Sequence, residues 1–207
     1  MIVRLVGSEM CIRDSNVYLL LGSIPITEND KLFNRSILIN PDGDIISIYD
    51  KIHMFDITLK NGESYKESDF YSPGSELKIT KVLGHSVGHT ICYDLRYPKL
   101  YRALAKKGSQ IIVVPSAFTH TTGKAHWHSL IKARAIENGV FILAPNQWGV
   151  NNEKRVTYGH TLIVDPWGET LAEAEDGEMI IAAELDLNRV RECQNAIPVL
   201  DNDRNFD

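Results

Sequence analysis

A cysteine, a lysine and a glutamate carry the chemistry that this chain could perform. Cys92 lies in Thr90-Ile91-Cys92-Tyr93-Asp94-Leu95-Arg96, after an apolar stretch that begins at Ser86 and before a helix-like segment that begins at Pro98. A strand-to-helix junction suits a nucleophile: helix N-terminal amides favour a thiolate, and the turn can present sulfur at the rim of a sheet. Lys51 stands upstream in Tyr49-Asp50-Lys51-Ile52-His53-Met54-Phe55-Asp56, and Glu67 lies between the two. Thiol, ammonium and carboxylate together suit thiol attack on an amide or a nitrile. Each alone has a plainer reading. A free cysteine is often a small buried hydrophobe, a lysine at a strand end is usually a surface charge, and a single loop glutamate carries no weight. The polar turn that follows Cys92, and the presence of all three, favour chemistry.

Other reactive residue types point elsewhere. Seven histidines are present, without HExxH or Cys/His ligand spacing. His126 and His128 are two apart in a helix-like segment and point to different faces. Neither a metal site, nor a cofactor, nor a papain-like Cys–His dyad is expected. Arg134 falls on the apolar helical face marked by Trp127, Leu130 and Ile131. A charge on a buried stripe needs a partner, and Glu137 one turn along supplies a structural one.

The elements that must position these residues follow from pattern and composition. The chain has 207 residues, 43% of them hydrophobic, enough for one well-buried domain. Mean hydropathy of −0.17 fits a soluble globular protein. A net charge of −5 with scattered basic residues argues against a nucleic-acid grip. No apolar run approaches the roughly 20 residues that cross a bilayer. Three cysteines without CxxC spacing make neither a disulfide framework nor a zinc site, which fits a reducing cytoplasm. Strands are expected over 17–22, 86–92, 110–115, 140–145, 160–166, 169–175 and 179–185, and a hairpin over 32–39 and 45–49 around Pro41-Asp42-Gly43-Asp44. Helices are expected over 98–107, 124–138 and 188–196, with Gly108 and Gly139 as stops for the first two. Residues 56–75 read as a polar loop that carries functional groups. Strand-helix-strand alternation over 86–145 predicts an α/β fold, sheet packed on sheet with helices outside.

Five segments taken together resemble the nitrilase superfamily of carbon–nitrogen hydrolases: YDKIHMFDI (49–57), TICYDLR (90–96), PSAF (115–118), AHWHSLIKARAIEN (125–138) and YGHTLIVDPWG (158–168). The likeness runs from about Asn16 onward and is strongest to the branch containing deaminated glutathione amidase and omega-amidase. It implies a four-layer αββα sandwich that commonly dimerises, and a Glu-Lys-Cys set extended by a second glutamate. By position, the resemblance makes Cys92 the nucleophile, Lys51 the oxyanion stabiliser, Glu67 the second glutamate that orients Lys51, and Tyr93 a backbone N–H donor to the oxyanion. It places Arg96 to clamp a substrate carboxylate, with Phe118 and Thr122 lining the pocket. The implied substrate is a small carboxylated amide, hydrolysed through a thioester with release of ammonia. A nitrilase acting on nitriles and a non-catalytic binding module of the same fold are the alternatives.

The first fifteen residues stand apart. The run from Val6 to Ser15 resembles an in-frame translation of a sequencing adapter, so residues 1–15 are read as non-native. An ordinary N-terminal strand and turn is the other reading. Residues 16–207 are then a single hydrolase domain, incomplete at its N-terminus. In the family the general-base glutamate lies upstream of the segment matching 16–23. Glu9 has no matching surroundings and Glu28 falls after the matching strand. A first strand, roughly two helices and that glutamate are therefore expected to be absent, and turnover weak.

Overall fold

The computed structural model describes residues 12–59, 62–152 and 155–204. Strands β1 (Leu19–Glu28), β2 (Lys31–Ile39) and β3 (Ile45–Asp50) form an antiparallel sheet in that order. The expected hairpin is present: Asn40 Oδ1 accepts from the Asp44 N–H at 2.8 Å, and Gly43 takes the left-handed φ of 85° that the turn requires. Alternation along these strands sorts the side chains by face. Ser36, Leu38, Ser47 and Tyr49 point into the molecule. Arg35, Ile37 and Ile39 point the other way, where Ile12 packs on Ile37 and Ile39.

A six-stranded mixed sheet forms the second layer. It runs β6 (Ile79–Val82), β7 (His85–His89), β8 (Ile111–Val113), β9 (Phe141–Ala144), β12 (Leu162–Val164), β13 (Thr170–Glu173) across its width. The central three strands are parallel: Val87 pairs with Ile111, and Ile111 with Phe141. Parallel neighbours need crossover connections. Helix α1 (Pro98–Lys106) and helix α2 (His120–Asn138) supply them. Both bury one face in the same core: Leu100, Tyr101 and Leu104 from α1, and Trp127, Ile131 and Ala135 from α2, pack with Ile112, Ile142 and Leu162. On the opposite face the two sheets meet, where Thr80 Oγ1 donates to Ser47 Oγ at 2.6 Å. The expected α/β class and sheet-on-sheet packing hold. Among the described residues the layers are helices, large sheet and small sheet, with the helical turn at 12–15 beyond the small sheet.

Helix α3 (Asn188–Ala196) has the expected bounds, whereas α2 begins four residues earlier than expected, because Thr119 caps it by accepting from the Thr122 N–H. Five readings need correction. The first strand is Leu19–Glu28 and not 17–22, so Glu28 ends it and does not follow it. Residues 179–185 form no strand: their alternation meets no partner backbone, and Ile180 is 97% exposed. The polar loop at 56–75 contains the hairpin of β4 (Asp56–Thr58) and β5 (Ser64–Lys66). The hairpin of β10 (Trp148–Asn152) and β11 (Arg155–Tyr158) lies outside the expected strands, because its apolar alternation is confined to the two short pairs Trp148/Val150 and Val156/Tyr158, and Trp148, Val150 and Val156 are exposed. Strand β6 is also additional to them; it is four residues long and half-buried. Among the described residues no helix is long and apolar enough to cross a membrane.

Candidate active site

Cys92 is held in an unusual backbone state. After β7, Thr90 bonds the Val113 carbonyl through its N–H at 3.1 Å and through Oγ1 at 2.8 Å, and the Cys92 N–H donates to Pro115 O at 3.0 Å. The chain is thus stitched to the exit of β8. Cys92 then takes a φ of 48° and opens a 3-10 turn, Cys92–Arg96. A left-handed non-glycine residue costs roughly 1–3 kcal/mol and persists only where its surroundings over-determine it.

Asp94 over-determines it. It is fully buried, and Oδ2 accepts from the Ile91 N–H at 2.9 Å and from the Tyr49 hydroxyl at 2.7 Å. Oδ1 accepts from the His53 N–H at 3.0 Å and lies 2.7 Å from His53 Nδ1. Burial, and the Asp94 charge beside it, push the Tyr49 phenol far above its usual range, so it remains a donor. Arg134 holds the turn from the other side: Nε donates to Leu95 O and Nη1 to Glu137 Oε1, both at 2.9 Å. The expected Arg134–Glu137 pair is therefore present, and it also braces the cysteine turn. One expectation changes. Helix α1 begins only at Pro98, so Cys92 sits on a strained elbow and not at an α-helix N-terminus.

Lys51 follows β3 directly and is 2% exposed. Its N–H donates to Asn34 O at 2.9 Å, and its own carbonyl accepts from the Gly74 N–H at 2.8 Å. Gly74 is required there, because a Cβ would lie 2.3 Å from Asp50 O. Lys51 Nζ is paired with Glu67 Oε2. Glu67 is fixed in turn by the Phe55 N–H at 2.6 Å and by Asn34 Nδ2 at 3.0 Å. A buried ion pair with its remaining lone pairs occupied keeps its geometry.

These groups converge on one cavity of about 350 Å³. Cys92, Lys51, Glu67, Tyr93, Phe118 and Thr122 all line it. Arg96 does not: its guanidinium lies 5.5 Å from the Phe118 ring centroid, 5.9 Å from that of Tyr93, and 3.4 Å from His126 Nδ1. Burial lowers its pKa. Arg155 is on the cavity wall instead, with Nη2 donating to Ala117 O at 3.3 Å and a buried Nε that has no partner among the described residues. Among the described residues no histidine lines the cavity, and Glu67 is the only carboxylate on its wall. Glu28 pairs with Arg35 at 2.6 Å, away from the cavity, and Glu9 lies outside the described residues.

A matching family model describes a carbon–nitrogen hydrolase and covers residues 8–195. The chain belongs to the carbon–nitrogen hydrolase family. It is 39% identical over 196 residues to a deaminated glutathione amidase of Yersinia enterocolitica, covering 93% of this chain and 68% of that protein. It is 37% identical over 187 residues to the omega-amidase NIT2 of Xenopus tropicalis, covering 90% of this chain and 68% of that one. The crystal structure of the C. elegans NitFhit protein superposes with a TM-score of 0.91 at 34% identity, over 98% of this chain and 50% of that chain. The chain thus spans about two-thirds of those two curated relatives and half of the nematode protein.

Several residues that line this cavity or brace its groups are not evident from sequence. Asn34 is one of three consecutive polar residues, Asn34-Arg35-Ser36, within Leu32–Ile39, so the sequence does not single it out. Asp94 lies inside the cysteine motif, but its partners Tyr49 and His53 come from the lysine motif, and only folding joins the two. Arg155 stands in a polar hairpin and carries no local signal. Ligand spacing in the sequence indicates no metal, yet the fold brings His128, His160 and Glu173 together.

Proposed function

We propose that the chain hydrolyses the C–N bond of a small carboxylated amide through a thioester on Cys92. The observation that carries this reading is that Cys92 and the buried Lys51–Glu67 pair share one cavity. The Cys92 sulfur attacks the amide carbonyl as its proton passes to a base. The Lys51 ammonium and the Tyr93 backbone N–H stabilise the resulting oxyanion, each donor of this kind being worth roughly 3–4 kcal/mol. Collapse breaks the C–N bond, the nitrogen takes the proton and ammonia leaves. Water then attacks the thioester carbonyl, the sulfur departs, and the acid is released.

Glu67 serves Lys51 in this scheme, since both of its oxygens are engaged. The base that moves the proton is the glutamate that the family places before residue 16. General acid–base help is worth about 10²–10⁴-fold. We propose that residues 16–207 alone turn over slowly for that reason. Arg155, which lines the cavity where Arg96 does not, is favoured as the carboxylate contact, with Arg96 stacked near Phe118.

Ammonia release from a dicarboxylic monoamide, its neutral-ended analogue and the matching nitrile tests this. Cys92→Ala is expected to abolish release. Arg155→Gln is expected to raise KM about tenfold for the acidic amide only. Equal effects on acidic and neutral amides would return the clamp to Arg96, to be checked with Arg96→Lys. A binding module of the same fold is the second reading. No ammonia from any amide, together with equal alkylation rates at Cys92 and Cys193, is the result that selects it.

A further inference from the structure

His128, His160 and Glu173 lie apart from the catalytic cavity and take no part in the proposed reaction. His128 is a half-buried residue of α2, His160 follows β11 and precedes β12, and Glu173 ends β13. His128 Nε2 lies 2.8 Å, and His160 Nδ1 3.0 Å, from the same oxygen, Glu173 Oε1. All three donor atoms fall within 4.8 Å of one another. Ligand bonds of roughly 2.0–2.2 Å at tetrahedral angles put donors about 3.4 Å apart. Small side-chain rotations therefore suffice to seat an ion between them.

The surroundings hold the two imidazoles in this aspect. His160 adopts a left-handed φ of 58°, and its carbonyl accepts from Trp127 Nε1 at 2.7 Å. Tyr158 stacks on its ring with centroids 4.4 Å apart. With Nδ1 turned to Glu173, the other ring nitrogen of His160 is 3.8 Å from the exposed Asp176, beyond hydrogen-bond distance.

We propose that His128, His160 and Glu173 form a binding site for a divalent transition-metal ion of the zinc type, distinct from the Cys92 cavity. Two imidazoles and a carboxylate suit zinc, cobalt or nickel, and not the all-oxygen preference of calcium or magnesium. Water completes the tetrahedron. The ion would reinforce the contact between α2 and the edge strand β13 that His128 and Glu173 already make.

The test is zinc titration of the metal-free full chain carrying Cys92→Ala, in competition with a chromogenic chelator. One equivalent is expected to bind with micromolar or tighter affinity and to raise the unfolding temperature. His128→Gln and Glu173→Gln, each checked for unchanged far-ultraviolet circular dichroism, are expected to weaken binding by at least about 10–100-fold. Glu173→Gln keeps a hydrogen-bond acceptor for the imidazoles while removing the charged ligand, so it separates a metal site from a purely hydrogen-bonded trio. Cobalt is expected to give visible d–d bands without a sulfur-to-metal charge-transfer band. Undiminished affinity in both variants, no bound equivalent, or a thiolate band overturns the proposal. None of these outcomes bears on amide hydrolysis, so the two readings fail separately.

Discussion

At the scale of single residues the site is a cysteine on a strained elbow beside a held ammonium, the nucleophile and oxyanion donor of the proposed reaction. Cys92 keeps its φ of 48° because Asp94, buried behind it, gathers groups from the turn itself and from Tyr49 and His53. Lys51 keeps its direction because Glu67 is itself pinned by Phe55 and Asn34. Removing the carboxylate charge should misplace the ammonium more than it disturbs the fold. Glu67→Gln retains the shape and one acceptor. It is expected to lower kcat for the acidic amide about 10²–10³-fold with KM little changed, as loss of one oxyanion donor does. Steady-state ammonia release checks this. A raised KM with kcat intact would assign Glu67 to substrate contact. The three chemical residues are legible as types in sequence. Their mutual support is not, since Asn34, Phe55 and Asp94 act through atoms that only folding brings within reach.

At the scale of elements, α2 is the member that sets the cavity wall. Its N-terminal turn carries Thr122, and just before the helix stand Thr119, its cap, and Phe118. The helix lies close on the β10–β11 hairpin because position 123 has no side chain: a Cβ there would stand 2.3 Å from Tyr158 Cβ. Gly123→Ala must therefore push α2 away from Tyr158. Overpacking of this kind costs about 1–3 kcal/mol. The displacement also reaches Thr122, so a loss of stability in urea melts should be accompanied by a raised KM. A stability equal to the parent's would show that the hairpin yields freely. The sequence places α2 well from Lys124 onward, since its apolar face and terminal glycine are local signals. The hairpin against it has no such signal, and neither does the first turn, which depends on a threonine cap.

At the scale of the whole molecule, the two packed sheets leave a titratable group between them. His89, on β7, is 1% exposed; Nε2 lies 3.1 Å from Thr80 Oγ1, and Nδ1 has no partner among the described residues. Burial, with the nearby Lys78 charge, lowers its pKa from 6.5 to about 4. The unfolded chain then takes up the proton first as pH falls. The contribution is fully present above about pH 6.5 and is lost progressively as pH falls toward 4. Its size is up to about 3 kcal/mol, since each tenfold change in proton affinity is worth about 1.4 kcal/mol. Urea melts at about pH 7 and about pH 4.5 should show this loss, and His89→Gln should flatten the difference. An unchanged slope in that variant would place the acid sensitivity elsewhere.

The sequence by itself determined the α/β class, the β2–β3 hairpin, α1, α3 and most of α2, the family, and the motifs whose Cys92 and Lys51 meet in one cavity. Each of these rests on local periodicity, on capping and turn chemistry, or on contiguous motifs, which short stretches of chain contain in full. Tertiary structure decided the rest: that Arg155 and not Arg96 reaches the cavity wall, that 179–185 finds no partner strand, that Asp94 locks the elbow, and that two histidines meet one glutamate. Those outcomes depend on which distant segments come within a few ångströms of one another, a quantity that spacing along the chain does not encode.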